Sequence, residues 1–279
     1  DGGLSASRAA FVGGCVATSN VLAGRLFGVP VRGTHAHSWI MGFHDELEAM
    51  RLYAEALPNN CIFLVDTYDT LAGVHNAARI GRLLRARGHE MIGIRLDSGD
   101  LAALSAAARR ILDEAGFPSA KIVASNDLDE YQIADLKAAG AKIDVWGVGT
   151  RLATAYDQPA LGGVYKLVRV DDEPKLKVTS DLAKATLPDR KKVLRVIDPQ
   201  GNFDMDVLCL AEETVAPGDV VYNPAAPEEK KRLPAACRFA ELHRLVMDNG
   251  EIIRPCPSLA ESADYCRKQL QKLPEGSLR

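Results

Sequence analysis

The residues with the most chemistry open to them fall in five short groups along this 279-residue chain. Gly33-Thr34-His35-Ala36-His37-Ser38-Trp39 carries imidazoles at i and i+2, a spacing that fits a metal pair, a nucleophile with a neighbour, or plain turn residues. Asp66-Thr67-Tyr68-Asp69-Thr70 offers carboxylates that can cap a following helix, bind ribose hydroxyls or hold a metal ion. In Arg95-Leu96-Asp97-Ser98-Gly99-Asp100, Asp97 and Asp100 suit Mg²⁺ or a ribose diol, and Arg95 suits a carboxylate or phosphate. A helix start behind a buried Arg95–Asp97 ion pair is the plainer alternative. Ser125-Asn126-Asp127 reads as a further ligand turn or as an ordinary N-cap. In Gly147-Val148-Gly149-Thr150 the two glycines let backbone N–H groups close on an anion and the threonine adds a hydroxyl, although a tight turn has the same composition. Neither G-x-x-x-x-G-K-[ST] nor G-x-G-x-x-G occurs, so a P-loop ATPase and a Rossmann dehydrogenase are both disfavoured.

All five groups stand where a strand-like run gives way to a loop. Apolar runs at Val29–Thr34, Cys61–Thr67, Met91–Leu96, Lys121–Ala124 and Lys142–Val148 alternate with helix-like stretches at Asp45–Leu57, Leu71–Arg87, Leu101–Ala115 and Glu130–Ala139, and a last run covers Gly163–Val170. Strands alternating with helices predict a parallel sheet covered by helices, open or closed into a barrel, with ligands at the carboxyl ends of the strands. The third unit shows the logic. Asp100 caps a helix whose Leu101, Leu104, Ala108, Ile111 and Leu112 form an apolar stripe, and Gly116 stops it. In the strand before it, Ile92, Ile94 and Leu96 share the face under the helices. Gly93, Arg95 and Asp97 share the other, and a guanidinium beside a carboxylate is poor filler for a sheet centre.

After about Val170 the rhythm stops. Short alternating segments follow at Lys175–Val178, Val193–Ile197 and Val220–Tyr222, then an exposed loop at Asn223–Leu233 and a terminal helix near Ser258–Leu273. The expected organisation is an α/β catalytic core over 1–170 and a smaller, mostly β region over 171–279.

Composition excludes several classes. Net charge is −3, from 34 basic and 37 acidic residues, so no basic field suggests nucleic acid or an anionic membrane. No apolar run approaches the ~18 residues of a membrane span. Six scattered cysteines without a C-x-x-C pair read as structural thiols, and the cytoplasm is the expected compartment. Both chain ends read as cuts through a longer protein. The residues by themselves point to an α/β enzyme binding a phosphorylated sugar with a divalent metal, and they do not name the substrate.

Taken in order, these segments resemble the nicotinate phosphoribosyltransferases. The likeness runs through Asp1-Gly2-Gly3-Leu4-Ser5-Ala6-Ser7, Thr18-Ser19-Asn20-Val21-Leu22-Ala23-Gly24, the His35/His37, Asp66, Arg95 and Gly147 groups, and Gly162-Gly163-Val164-Tyr165-Lys166-Leu167. It is collinear over about 1–170 and weaker beyond.

The resemblance implies a type II phosphoribosyltransferase fold, an irregular α/β barrel beside a smaller domain. It implies that nicotinate and phosphoribosyl pyrophosphate give nicotinate mononucleotide and pyrophosphate, with ATP hydrolysis driving the reaction through a phosphohistidine. His37 matches that histidine, and His35 fills a variable position. Thr34 and Arg95 match nicotinate-binding positions. Ser98, Gly99, Ser125, Asn126, Gly147, Gly149 and Thr150 are the phosphoribosyl pyrophosphate contacts it suggests, with Asp97 and Asp100 as catalytic carboxylates and Asp97 or Asp100 on Mg²⁺. A homodimer is implied too. The family's N-terminal part, with an aromatic residue that stacks on nicotinate, and its C-terminal extension have no counterpart here. A related enzyme acting on nicotinamide or quinolinate, and a barrel that binds without turnover, are the alternatives.

Overall fold

The structure, a computed structural model, describes residues 2–177, 186–223, 226–274 and 276–277. Asp1 of the opening motif, Val178 at the end of one expected strand, and Leu278-Arg279 at the chain end lie outside them. The chain divides into two compact units, one of Asp1–Phe11 with Cys15–Ala160 and one of Val12–Gly14 with Leu161–Arg279. The division expected from sequence lies at 170/171.

The first unit contains, in order, all but the last two residues of α1 (Gly2–Gly13), then α2 (Val21–Phe27), α3 (His37–Met41), α4 (Glu46–Ala56), β1 (Ile62–Leu64), α5 (Thr70–Ala86), β2 (Gly93–Leu96), α6 (Leu101–Glu114), β3 (Lys121–Ala124), α7 (Glu130–Ala138), β4 (Val145–Trp146) and α8 (Thr150–Thr154). The four strands are parallel and pair in the order β1-β2-β3-β4. Their helices start where side chains can satisfy the first free N–H groups. Asp45, Asp69, Asp100 and Asp129 each accept a backbone N–H three residues on, at 2.8 to 3.0 Å. In α6, Leu101, Ser105, Ala108 and Leu112 are buried at helical spacing, and the helix ends before Gly116, whose φ of 87° is the left-handed conformation glycine adopts without strain.

The core lies between sheet and helices. Phe63, Ile94, Leu96, Leu112 and Ile122 are fully buried. Gly73 lets α5 sit on the exit of β1, since a Cβ there would stand 2.1 Å from the carbonyl oxygen of Val65. Ile92, expected beneath the helices, is 38% exposed because β2 begins only at Gly93 and Met91 fills the buried position. The expected strand Val29–Thr34 contracts to a single bridge between Val31 and Thr18. Pro30 has no N–H to extend the ladder.

In the second unit, β5 (Arg169–Val170) and β6 (Glu173–Pro174) turn back on each other through Asp171 and Asp172, so most of the expected strand Gly163–Val170 is not one. Next come β7 (Lys191–Ile197), β8 (Phe203–Leu210), β9 (Val220–Asn223), β10 (Ala226–Arg232), β11 (Arg238–Glu241), β12 (Met247–Asp248), β13 (Glu251–Ile252) and α9 (Leu259–Leu270). The antiparallel sheet β11-β7-β8 buries Val196 and Val207 with Leu233. Ser258 and Glu261 close a capping box at α9. The Asn223–Leu233 stretch, expected to be a loop, instead pairs β10 with β9. Its charged side chains are exposed as their composition requires, but backbone pairing does not depend on them. Among the described residues no helix is long and apolar enough to cross a membrane.

Candidate active site

The strand register brings the chemistry to one rim. Leu64 on β1 pairs with Arg95 on β2, Leu96 with Ala124 on β3, and Ala124 with Trp146 on β4. The residues that follow these strands, Asp66, Asp97, Ser125 and Gly147, therefore emerge at the carboxyl ends of neighbouring strands. Gly147 donates its N–H to the carbonyl of Ala124 at 2.7 Å, and a Cβ on it would lie 3.3 Å from Ser125 Cβ, so β4 exits close against Ser125.

Arg95 lies at the centre. Its Nε donates to Ser125 Oγ at 2.8 Å, its Nη1 to Thr34 Oγ1 at 3.0 Å and its Nη2 to Asp97 Oδ1 at 2.9 Å. Guanidinium carries five N–H groups, so each terminal nitrogen keeps one that these three bonds do not use. Ser125 accepts from Arg95 and donates to Asp97, closing a three-membered ring of contacts. The Arg95 and Asp97 side chains are each 27% exposed, enough to meet a ligand and too little to be fully hydrated.

His37 approaches from the other direction, as the first residue of α3. Its Nε2 stands 3.5 Å from Asp97 Oδ2 and its Nδ1 3.0 Å from Thr67 Oγ1. Burial by itself would raise the Asp97 carboxyl, but hydrogen bonds from Ser125 and Arg95, the Arg95 charge and the His37 contact outweigh it and hold the group below its ordinary value. The carboxylate stays charged beside the imidazole. Asp66 supports it from below. Its Oδ2 accepts the Asp97 N–H and the Ser98 hydroxyl, each at 2.7 Å, while its Oδ1 is buried without a partner.

Of the residues singled out from sequence, Thr34, His37, Arg95, Asp97 and Ser125 thus share one network, with Ser98 joined through Asp66. Gly99 shapes the same turn at φ 77°, and Asn126 follows Ser125 at φ 113°. Gly149 and Thr150 begin α8 after β4. Among the described residues no hydrogen bond links either of them to Arg95, Asp97 or His37. Asp100 is drawn away from the cluster, since its carboxylate caps α6. His35 is buried and faces Tyr53 and Phe63, with no hydrogen bond to Arg95 or Asp97. Asp66 and Thr67 also belong to the network, beyond the site residues expected from sequence. The signal was their place after β1, level with Asp97 after β2. A cleft of about 590 Å³ opens beside Thr34, lined also by Ser19, Arg32, Tyr53 and Asn60.

Such a network can grip a carboxylate or phosphate in plane, hold an imidazole by both nitrogens, and present acidic oxygens to sugar hydroxyls or a cation. Known proteins carry the same arrangement of sequence. Residues 4–198 match the model of the nicotinate phosphoribosyltransferase (NAPRTase) family, and residues 190–279 match the nicotinate phosphoribosyltransferase C-terminal domain. The nicotinate phosphoribosyltransferase of Bacillus subtilis is 45% identical over 98% of this chain and 57% of its own length. That of Dictyostelium discoideum is 36% identical over 100% of this chain and 57% of its own. The crystal structure of human nicotinic acid phosphoribosyltransferase superposes with a TM-score of 0.82 at 31% identity, covering 99% of this chain and 63% of the human one. The chain spans somewhat more than half the length of these curated relatives. It belongs to the nicotinate phosphoribosyltransferase family.

Proposed function

We propose that this chain carries the reaction centre of a nicotinate phosphoribosyltransferase. The enzyme joins nicotinate to phosphoribosyl pyrophosphate, releases pyrophosphate and supplies nicotinate mononucleotide for NAD synthesis. The observation that carries the reading is the Arg95 guanidinium, held on three sides by Thr34, Ser125 and Asp97 with one N–H left on each terminal nitrogen. Those two N–H groups suit a planar carboxylate. Nicotinate offers one and nicotinamide does not. Among the described residues no lysine and no second arginine bonds to this network, which disfavours quinolinate with its two carboxylates.

His37 is the acceptor of the ATP γ-phosphoryl group. An imidazole nitrogen attacks phosphorus, the bond to the ADP oxygen breaks and ADP leaves; water later cleaves the N–P bond and releases phosphate. Asp97 and Thr67 orient the ring for this. Asp97 also faces the ribose as positive charge develops at its anomeric carbon. The turn Ser98-Gly99, the Ser125-Asn126 turn and the Gly147–Thr150 loop receive the ribose and phosphate groups.

The donor set suits Mg²⁺, which binds through one or two carboxylates and takes its remaining oxygens from water and substrate phosphates. Asp97 would supply one carboxylate and Asp66, with its unpartnered Oδ1, the other; Asp100 is committed to its helix. An ion held there would supply positive charge against the departing pyrophosphate. A homodimer in the cytoplasm completes the proposal.

The test is incubation of the protein with ATP labelled at the γ-phosphate, followed by peptide mapping. Acid-labile label on His37, absent from His37→Ala, supports the reading. Stable turnover by His37→Ala contradicts it.

A further inference from the structure

His35 lies between two residues of the network and turns away from both. Its ring is 8% exposed, edge-on to Tyr53 with centroids 4.8 Å apart and tilted against Phe63 at 6.4 Å. Its Nε2 accepts the backbone N–H of Leu64 at 3.2 Å. A backbone amide has only a proton to give, so this nitrogen carries a lone pair. The ring is therefore neutral with its proton on Nδ1, which lies 3.4 Å from the carbonyl of Ala36.

The place of this bond gives it a consequence. Among the described residues, β1 is the edge of the parallel sheet and pairs with β2 alone. The N–H of Val65 goes to Arg95 on β2, so that of Leu64, one residue earlier, faces the open side. His35 takes the place of the missing strand there, just ahead of Asp66 and Thr67. Its backbone is also engaged, because the Thr34 hydroxyl donates to the His35 carbonyl at 2.9 Å and so turns its lone pairs toward Arg95 Nη1. One bond between ring and strand thus ties the loop bearing Thr34 and His37 to the strand end bearing Asp66 and Thr67.

We propose that His35 is a positioning residue of the site. As a neutral Nδ1–H imidazole bonded to Leu64, it fixes Thr34 against Arg95 and His37 against Thr67, and so sets the affinity for the substrate carboxylate. The proposal rests on the reading of Arg95 as the nicotinate clamp.

A histidine that only fills the core would be replaced without loss by an apolar side chain of similar size. A ring that must accept a hydrogen bond would not. The experiment compares wild type with His35→Leu, which keeps apolar volume, and His35→Gln, whose amide oxygen can reach the Leu64 N–H. The Michaelis constants for nicotinate and phosphoribosyl pyrophosphate are measured for each, and nitrogen-15 spectra of the histidine rings are recorded on the intact wild-type protein.

The expected result is a neutral Nδ1–H ring for His35. His35→Leu raises the nicotinate KM by about tenfold, the factor set by one lost buried hydrogen bond. The phosphoribosyl pyrophosphate KM changes by less than about twofold, since among the described residues neither Gly99 nor Gly147 is hydrogen-bonded to the His35 loop. His35→Gln recovers most of the nicotinate affinity. A charged or Nε2–H ring overturns the proposal, as does a His35→Leu protein with wild-type nicotinate KM, or a His35→Gln no better than His35→Leu. Should His35→Leu fail to fold, the ring spectrum and His35→Gln decide between the same outcomes. If Arg95→Ala leaves nicotinate binding intact, it is the clamp that fails, and the ring spectrum still reports on the His35–Leu64 bond by itself.

Discussion

His37 and Asp97 face each other across 3.5 Å, Nε2 to Oδ2, although they come from the start of α3 and the end of β2. The same carboxylate binds Arg95 through its other oxygen at 2.9 Å. One acidic group therefore touches both the proposed nucleophile and the proposed substrate clamp. Losing it disturbs both.

Asp97→Asn keeps the shape and removes the charge. It is expected to lower kcat by about 10² or more, because both the imidazole's orientation and the charge opposing the developing cation depend on it. Steady-state kinetics on the variant check this. An unchanged kcat removes Asp97 from the mechanism.

On the proposed reading, Arg95→Ala leaves the nicotinate carboxylate without its partner, a loss of about 2–5 kcal/mol for a charge-assisted pair of this kind. The nicotinate KM should rise roughly 30-fold or more, and the phosphoribosyl pyrophosphate KM much less. Equal changes in both would refute the carboxylate pairing. Arg95→Lys should recover little, since an ammonium cannot bond Thr34, Ser125 and Asp97 in one plane.

Stability should fall on mild acidification through His35. Burial is the main cause that holds its imidazole below the ordinary 6.5, helped by the nearby Arg95 and His37 charges and opposed by the Ala36 bond. The unfolded ring takes a proton at about 6.5 that the folded ring refuses, so stability is lost as pH drops below that value. Asp97, also lowered, loses its contribution only as pH falls through 3.8 and below. Glu46, raised chiefly by burial, acts in the opposite sense. The difference between wild type and His35→Gln isolates the imidazole. The change in melting temperature between about pH 7 and about pH 5 should be smaller in the variant.

Gly73→Ala tests how the site is carried. The new methyl would meet the Val65 carbonyl oxygen at 2.1 Å, pushing α5 off β1 two residues before Thr67. Overpacking of this kind costs about 1–3 kcal/mol or more. Chemical denaturation measures it, and a variant as stable as wild type would contradict the packing.

Much of this was legible from residue order. The β2–α6 unit reads directly, because Asp100, the apolar stripe and Gly116 mark both ends of the helix and the period of two puts Arg95 opposite Ile94 and Leu96. The convergence of His37 with Asp97 was expected from family resemblance and could not be read from spacing, since it depends on the path of a loop. Val29–Thr34 misled because an apolar run says nothing about whether a neighbouring strand exists to pair with it. Spacing alone did not separate the two histidines, and the family resemblance did, by matching His37. The structure adds the physical difference, with His35 buried against the Leu64 N–H and His37 at the rim.

Recognition of the nicotinate carboxylate by Arg95 is tested by competition between nicotinate and nicotinamide, present together, in wild type and Arg95→Ala. Wild type should consume nicotinate with a large preference that collapses in the variant. A wild-type enzyme that uses the two equally well, or a preference that survives the loss of Arg95, would contradict the account.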